Sequence, residues 1–104
     1  MKPRIPLDRE RIAEFCRRWK ITEFSLFGSV LRDDFRPDSD IDVLVSFSPE
    51  AEWGLFEHVA MQEELAAMFS RKVDLITRRA VEHSRNPLRR RIILESAQPY
   101  YVAG

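Results

Sequence analysis

Asp40 and Asp42 bracket Ile41 at the head of an apolar run, Ile41 to Phe47, that reads as a β-strand. Side chains alternate faces along a strand, so the two carboxylates leave on one side while Ile41, Val43 and Val45 take the other. Two like charges at this spacing repel each other and lower strand propensity, a cost that a cation held between them would offset. Mg²⁺ suits such a pair, because it binds through one or two carboxylates and completes its shell with water and substrate phosphate. Upstream, with ten residues between, Gly28-Ser29 closes another apolar run. Glycine lets backbone come close to a phosphate, and Ser29 would offer a hydroxyl and an N–H at the start of a helical turn. Together these residues point to a site for a metal-bound nucleotide.

The elements that must position them follow from periodicity and punctuation. A helix is expected over Asp8 to Trp19, with Asp8 as N-cap and Ile12, Phe15, Cys16 and Trp19 on one face. Ile21 to Phe27 reads as the first strand, ended by Gly28, and a short helical turn is expected from Ser29 to Asp34. Ile41 to Phe47 is the second strand, and Ser48-Pro49 and Gly54 mark a loop. Leu55 to Phe69 has helical composition, with Leu55, Val59, Leu65 and Phe69 assigned to its buried side. Arg71 to Thr77 reads as the third strand, and Pro87 to Ser96 as the last helix, with Leu88, Ile92 and Ile93 turned inward. A helix between the second and third strands makes them parallel with a right-handed crossover, and the short link before the second makes the first pair antiparallel. That arrangement brings Gly28, Ser29, Asp40, Asp42 and Asp74 to one neighbourhood. Asp74 stands between Val73 and Leu75 and so faces away from the apolar side, as Asp40 and Asp42 do.

The fold class expected is α/β (α+β), a small mixed sheet flanked by helices in a single domain over residues 1–104. Such a chain is long enough for one core that buries roughly 60–70% of its unfolded surface. No apolar run reaches the length of a membrane span, and the N-terminal MKPRIPLDRE lacks the apolar stretch of a signal peptide. One cysteine cannot form an internal disulfide, and with only His58 and His83 no zinc cluster is expected, so the setting expected is reducing and cytoplasmic. Cys16 lies on the apolar face of its helix and reads as core. The net charge of zero conceals segregation: residues 37–70 carry eight acids and no Lys or Arg, while 71–104 carry eight basic residues against three acidic. Such flanks suit an anionic ligand gripped around a cation site. Arg85, Arg89, Arg90 and Arg91 surround one short helix without interleaved aromatics, a pattern that fits a solvated or partner-facing surface better than nucleic acid. Trp53 is read either as a base-stacking ring or as a lid on the core.

Gly-Ser, a spacer of this length and Asp-x-Asp at a strand head, joined by a third carboxylate, resemble the signature of the DNA polymerase β-like nucleotidyltransferase superfamily. The short chain and the wording Ser39-Asp40-Ile41-Asp42 are most similar to the minimal nucleotidyltransferases, often the antitoxin partners of HEPN-domain toxins. The resemblance covers roughly Ile21 to Tyr100. It implies Mg²⁺, with two ions bridged by Asp40 and Asp42 and one completed by Asp74, and ATP as substrate. It also implies Gly28, Ser29 and Arg32 at the nucleotide's phosphates. The family writes this loop G-S-x-A-R-G, and here Leu31 and Asp33 replace its Ala and last Gly. The implied activity is transfer of AMP to a tyrosine of a cognate HEPN toxin. Transfer to a small molecule or RNA, or a non-catalytic binding antitoxin, are the alternatives. A chain this short has no acceptor lobe, so a protein partner is expected, docked near the C-terminal Ala97–Val102 with its two tyrosines.

Overall fold

The computed structural model describes residues 8–28 and 40–103. Asp8 opens the first helix, α1 (Arg9–Arg18), by accepting hydrogen bonds from the Glu10 and Arg11 N–H groups at 3.1 and 3.2 Å. A cap of this kind contributes about 1 kcal/mol. Two strands follow, β1 (Ile21–Phe27) and β2 (Ile41–Phe47), then α2 (Leu55–Phe69), β3 (Val73–Thr77), α3 (Arg78–Glu82), α4 (Pro87–Ser96) and β4 (Gln98–Val102). The four strands form one mixed sheet in the order β3-β2-β1-β4. β1 runs antiparallel to β2 and β4, while β2 and β3 are parallel across the α2 crossover, as expected.

Strand alternation divides the sheet between two cores. Phe24 and Leu26 of β1, Ile41, Val43 and Val45 of β2 and Leu75 of β3 point to the α1 and α2 side, against Ile12, Phe15, Met61 and Leu65. The opposite face carries a smaller cluster of Phe27, Leu44, Val81 and Ile93, which seats α3 and α4. Asp42 and Asp74 belong to this second face by register. Cys16 is fully buried in the first core. Trp53 packs there as well, its indole N–H donating to the Trp19 carbonyl at 2.7 Å, so its role is that of a lid on the core.

Two helices seat only part of the face expected: Leu65 and Phe69 of α2 and Ile93 of α4 pack inward, and the other assigned residues do not. In α2 the buried residues are Met61 and Leu65, while Leu55 and Val59 lie outside. In α4 the buried residue is Ile93, and Leu88 and Ile92 are 66% and 53% exposed. Both helices carry apolar residues on more than one column, and packing on the sheet selects the column. The C-terminal segment also differs from expectation, because it forms the edge strand β4. Tyr100 and Tyr101 pack against the first core, with the Arg9 guanidinium 5.4 Å from the Tyr100 ring centre. The tail aromatics are therefore committed to the fold, and the exposed large apolar side chains of α4 and β4 are Leu88, Ile92 and Val102. No helix is long and apolar enough to cross a membrane.

Candidate active site

The register of three strands assembles the site. Phe27 at the end of β1 stands opposite Asp42 in β2, and Asp42 stands opposite Asp74 in β3. Partners in register project to the same side of a sheet, so the two carboxylates emerge together. Gly28 follows Phe27 with φ of +76°, a left-handed backbone that favours glycine. Space imposes the same choice, because a Cβ at Gly28 would run into the Asp42 carboxylate and stand 3.2 Å from its carboxyl carbon. Backbone and carboxylate thus meet without an intervening side chain.

These residues share one open cavity of about 450 Å³, lined by Phe27, Gly28, Asp42, Asp74, Arg89 and Ile92 among others. Asp42 is half-buried and Asp74 exposed. Asp40 lies at the exposed head of β2 and lines neither this cavity nor the smaller one beside Asp74. Among the described residues no three His, Cys, Asp or Glu side chains gather closely enough to hold a metal. The acidic donors brought together are thus the pair Asp42 and Asp74, rather than three carboxylates. Ser29 and Arg32, together with Asp33 and Asp34, lie outside the described residues. Another hollow, of about 770 Å³, sits at the opposite ends of β2 and β3 beside Trp53 and His58, and holds none of these carboxylates.

Arg89 is the side chain in this cavity to which sequence reasoning gave no role of its own. By pattern alone it belongs with Arg85, Arg90 and Arg91 on the surface. Asn86 caps α4 by accepting from the Arg89 N–H at 3.1 Å, and Pro87 occupies the first turn. Cap and first turn seat the helix so that Arg89 lines the cavity with the carboxylates, while Arg91 pairs with Glu95 at 3.1 Å. The Arg89 guanidinium has no ion pair within the described residues. Nothing in the local sequence separates it from its neighbours, since direction around a helix is decided by which residue, here Ile93, seats on the sheet.

In sequence and fold the chain is similar to proteins already known. The family described as a nucleotidyltransferase domain matches residues 9–100. The protein adenylyltransferase MntA of Thermococcus cleftensis is 32% identical over 69 residues, covering 66% of this chain and 68% of that one. A solved minimal nucleotidyltransferase superposes with a TM-score of 0.68 at 31% identity, over 88% of this chain and 87% of the other. A toxin–antitoxin crystal structure with AMP-PNP gives a TM-score of 0.71 at 20% identity, over 93% and 75%. The complex of a tri-AMPylated Shewanella oneidensis HEPN toxin with its MNT antitoxin gives 0.61 at 18%, over 91% and 70%. At their identities the last two are similar to this chain in fold.

Proposed function

Because the chain belongs to the nucleotidyltransferase domain family, we propose that it transfers AMP from ATP to a tyrosine hydroxyl of a HEPN-domain toxin and so acts as that toxin's antitoxin. The observation that carries the reading is the in-register pair Asp42 and Asp74, set beside the left-handed Gly28 in one cavity. The similarity to a protein adenylyltransferase and the fold shared with antitoxins of toxin complexes support AMP as the group and a HEPN toxin as the acceptor.

The donor set fits a hard divalent ion. Two carboxylates projecting side by side match what Mg²⁺ takes from a protein when substrate phosphates supply other oxygens. Asp42 and Asp74 would hold it, with Asp40 at the head of the same strand, and two ions would supply charge neutralisation at the transferred phosphate.

The chain's own groups have separable tasks. Gly28, free of a side chain, lets the strand end approach the phosphates, and Ser29 and Arg32, which follow it in sequence, would bind them. Asp74, on the outermost strand, is open to an incoming hydroxyl and takes its proton. The acceptor oxygen then bonds to the α-phosphorus, the bond from that phosphorus to the β-phosphate oxygen breaks, and pyrophosphate leaves. A cytoplasmic setting, in which ATP is present and Cys16 stays reduced, accords with this chemistry.

The test is intact-mass spectrometry of the cognate toxin after incubation with the protein, ATP and Mg²⁺. A gain of one AMP unit or multiples is expected, and none with Asp42→Asn. Adenylylation of an RNA end or an aminoglycoside, with the toxin mass unchanged, would transfer the reading to those acceptors. Co-purification of the two proteins without modification would make the chain a binding antitoxin.

A further inference from the structure

Asp74 belongs to two cavities. The first, described above, lies toward β1 and includes Gly28 and Asp42. The second, of about 300 Å³, lies toward α3, along the outermost strand β3, and includes neither Gly28 nor Asp42. Its lining combines Ile76, Ala80, Val81 and Ile93 with Asp74 and Arg89, and Ser84 and Arg90 complete it. We propose that this second cavity is the acceptor subsite, and that it takes the phenol ring of a tyrosine with the hydroxyl directed to Asp74 and Arg89.

The proposal rests on the nucleotidyl-transfer reading and adds where the acceptor enters. Transfer needs two ligands to meet at one point, the α-phosphate from one side and the hydroxyl from the other. Asp74 and Arg89 are the polar side chains common to both cavities, so they mark that meeting point. Size then selects the occupant. Small-molecule pockets run from roughly 300 to 1,000 Å³, and a cavity at the bottom of that range suits one aromatic side chain better than an aminoglycoside or an RNA end. Chemistry selects it too, because the aliphatic side chains of the lining match a ring face while Asp74 and Arg89 offer a base and a cation to a hydroxyl. Arg90 donates to the Glu82 carbonyl at 3.3 Å and is engaged within the protein. The Arg89 guanidinium remains available to stabilise the phenolic oxygen as its proton passes to Asp74 and the oxygen–phosphorus bond forms. Pyrophosphate leaves on the Gly28 side, so acceptor and leaving group do not compete for space.

Ala80 provides the test, since it is exposed on α3 and lines only the second cavity. Ala80→Phe fills that space. The expected result is unchanged melting temperature and Mg²⁺-dependent ATP affinity, with AMP transfer to the toxin reduced by about 10²-fold through lost positioning. Saturation-transfer NMR with N-acetyltyrosinamide should show binding to the parent protein and none to the variant, a readout that survives even if no transfer is found. Ala80→Leu replaces the Phe variant should the latter fail to fold. Full transfer in a folded filled variant overturns the proposal. So does a filled variant that keeps N-acetyltyrosinamide but loses ATP, which would assign the cavity to the nucleotide base. If the parent transfers nothing to the toxin yet binds N-acetyltyrosinamide at this cavity, the subsite stands and the transfer reading fails.

Discussion

Asp42 and Asp74 face each other in register across two parallel strands, so that the sheet itself holds two like charges side by side. Directly opposed like charges destabilise a strand pair by roughly 0.2–1 kcal/mol. Asp42→Asn removes one of them while keeping the shape. The variant should melt about 1–8 °C higher than the parent in the absence of ligand, given the roughly 4–8 °C per kcal/mol expected of a domain near this size. Its Mg²⁺-dependent ATP binding, followed by calorimetry with and without metal, should be abolished. Higher stability with lost binding is the signature of a pair kept for its ligand. Unchanged metal-dependent binding would remove the pair from the site.

Asp74 differs from Asp42 in position. It lies on the outermost strand, is exposed and borders the second cavity as well as the first. Its expected part is therefore in the chemical step. Asp74→Ala should lower kcat for toxin modification by a factor on the order of 10² or more, while costing Mg²⁺-dependent ATP affinity less than Asp42→Asn does. Single-turnover kinetics with saturating ATP separates the two. A fall in affinity equal to the fall in turnover would place Asp74 in ground-state binding instead.

The bounds of β1, β2, α2 and α4 could be read directly from the chain, because Gly28, Gly54 and Pro87 stand at or beside their ends and propensity agrees with pattern between them. The shared face of Asp42 and Asp74 was equally legible, since strand alternation needs no tertiary information. Where local pattern and packing diverged, reading failed. The five-residue α3, capped by the Thr77 hydroxyl at 3.2 Å from the Ala80 N–H, is too short to show a period. β4 contains Pro99, which argues against a strand in general but is tolerated at a sheet edge, where β4 lies. The inward face of α4 was misassigned because Leu88 and Ile92 form an apolar column that the sheet does not use. Arg89 was missed for the same reason.

Cys16 supplies a pH-dependence unconnected with the site. Burial pushes its thiol up to about 12, and Arg17 counters this only in part. In the unfolded chain the thiol titrates near 8.5. Between those values the native state keeps a proton that the unfolded state has lost. The stability is therefore full below about pH 8.5 and declines as pH rises through the window. Between pH 8 and 10 the loss from this residue should be about 2 kcal/mol. Urea unfolding of the parent and of Cys16→Ala at both pH values isolates it, with a steeper decline expected for the parent. Thiol reagents should modify Cys16 only as the protein unfolds, since the side chain is fully buried.

Gly28 joins fold and function most directly. Its φ of +76° costs a non-glycine residue about 1 kcal/mol, and a new Cβ would also collide with the Asp42 carboxylate. Gly28→Ala should therefore melt several degrees lower than the parent and bind ATP poorly, because relief of the clash displaces Asp42. The two causes can be separated by a double-mutant cycle. In an Asp42→Ala background the carboxylate is gone, so only the backbone strain remains and Gly28→Ala should cost less than it does in the parent. An equal penalty in both backgrounds would mean that backbone conformation alone demands the glycine. The close approach of Gly28 to Asp42 would then carry no weight in the choice of residue.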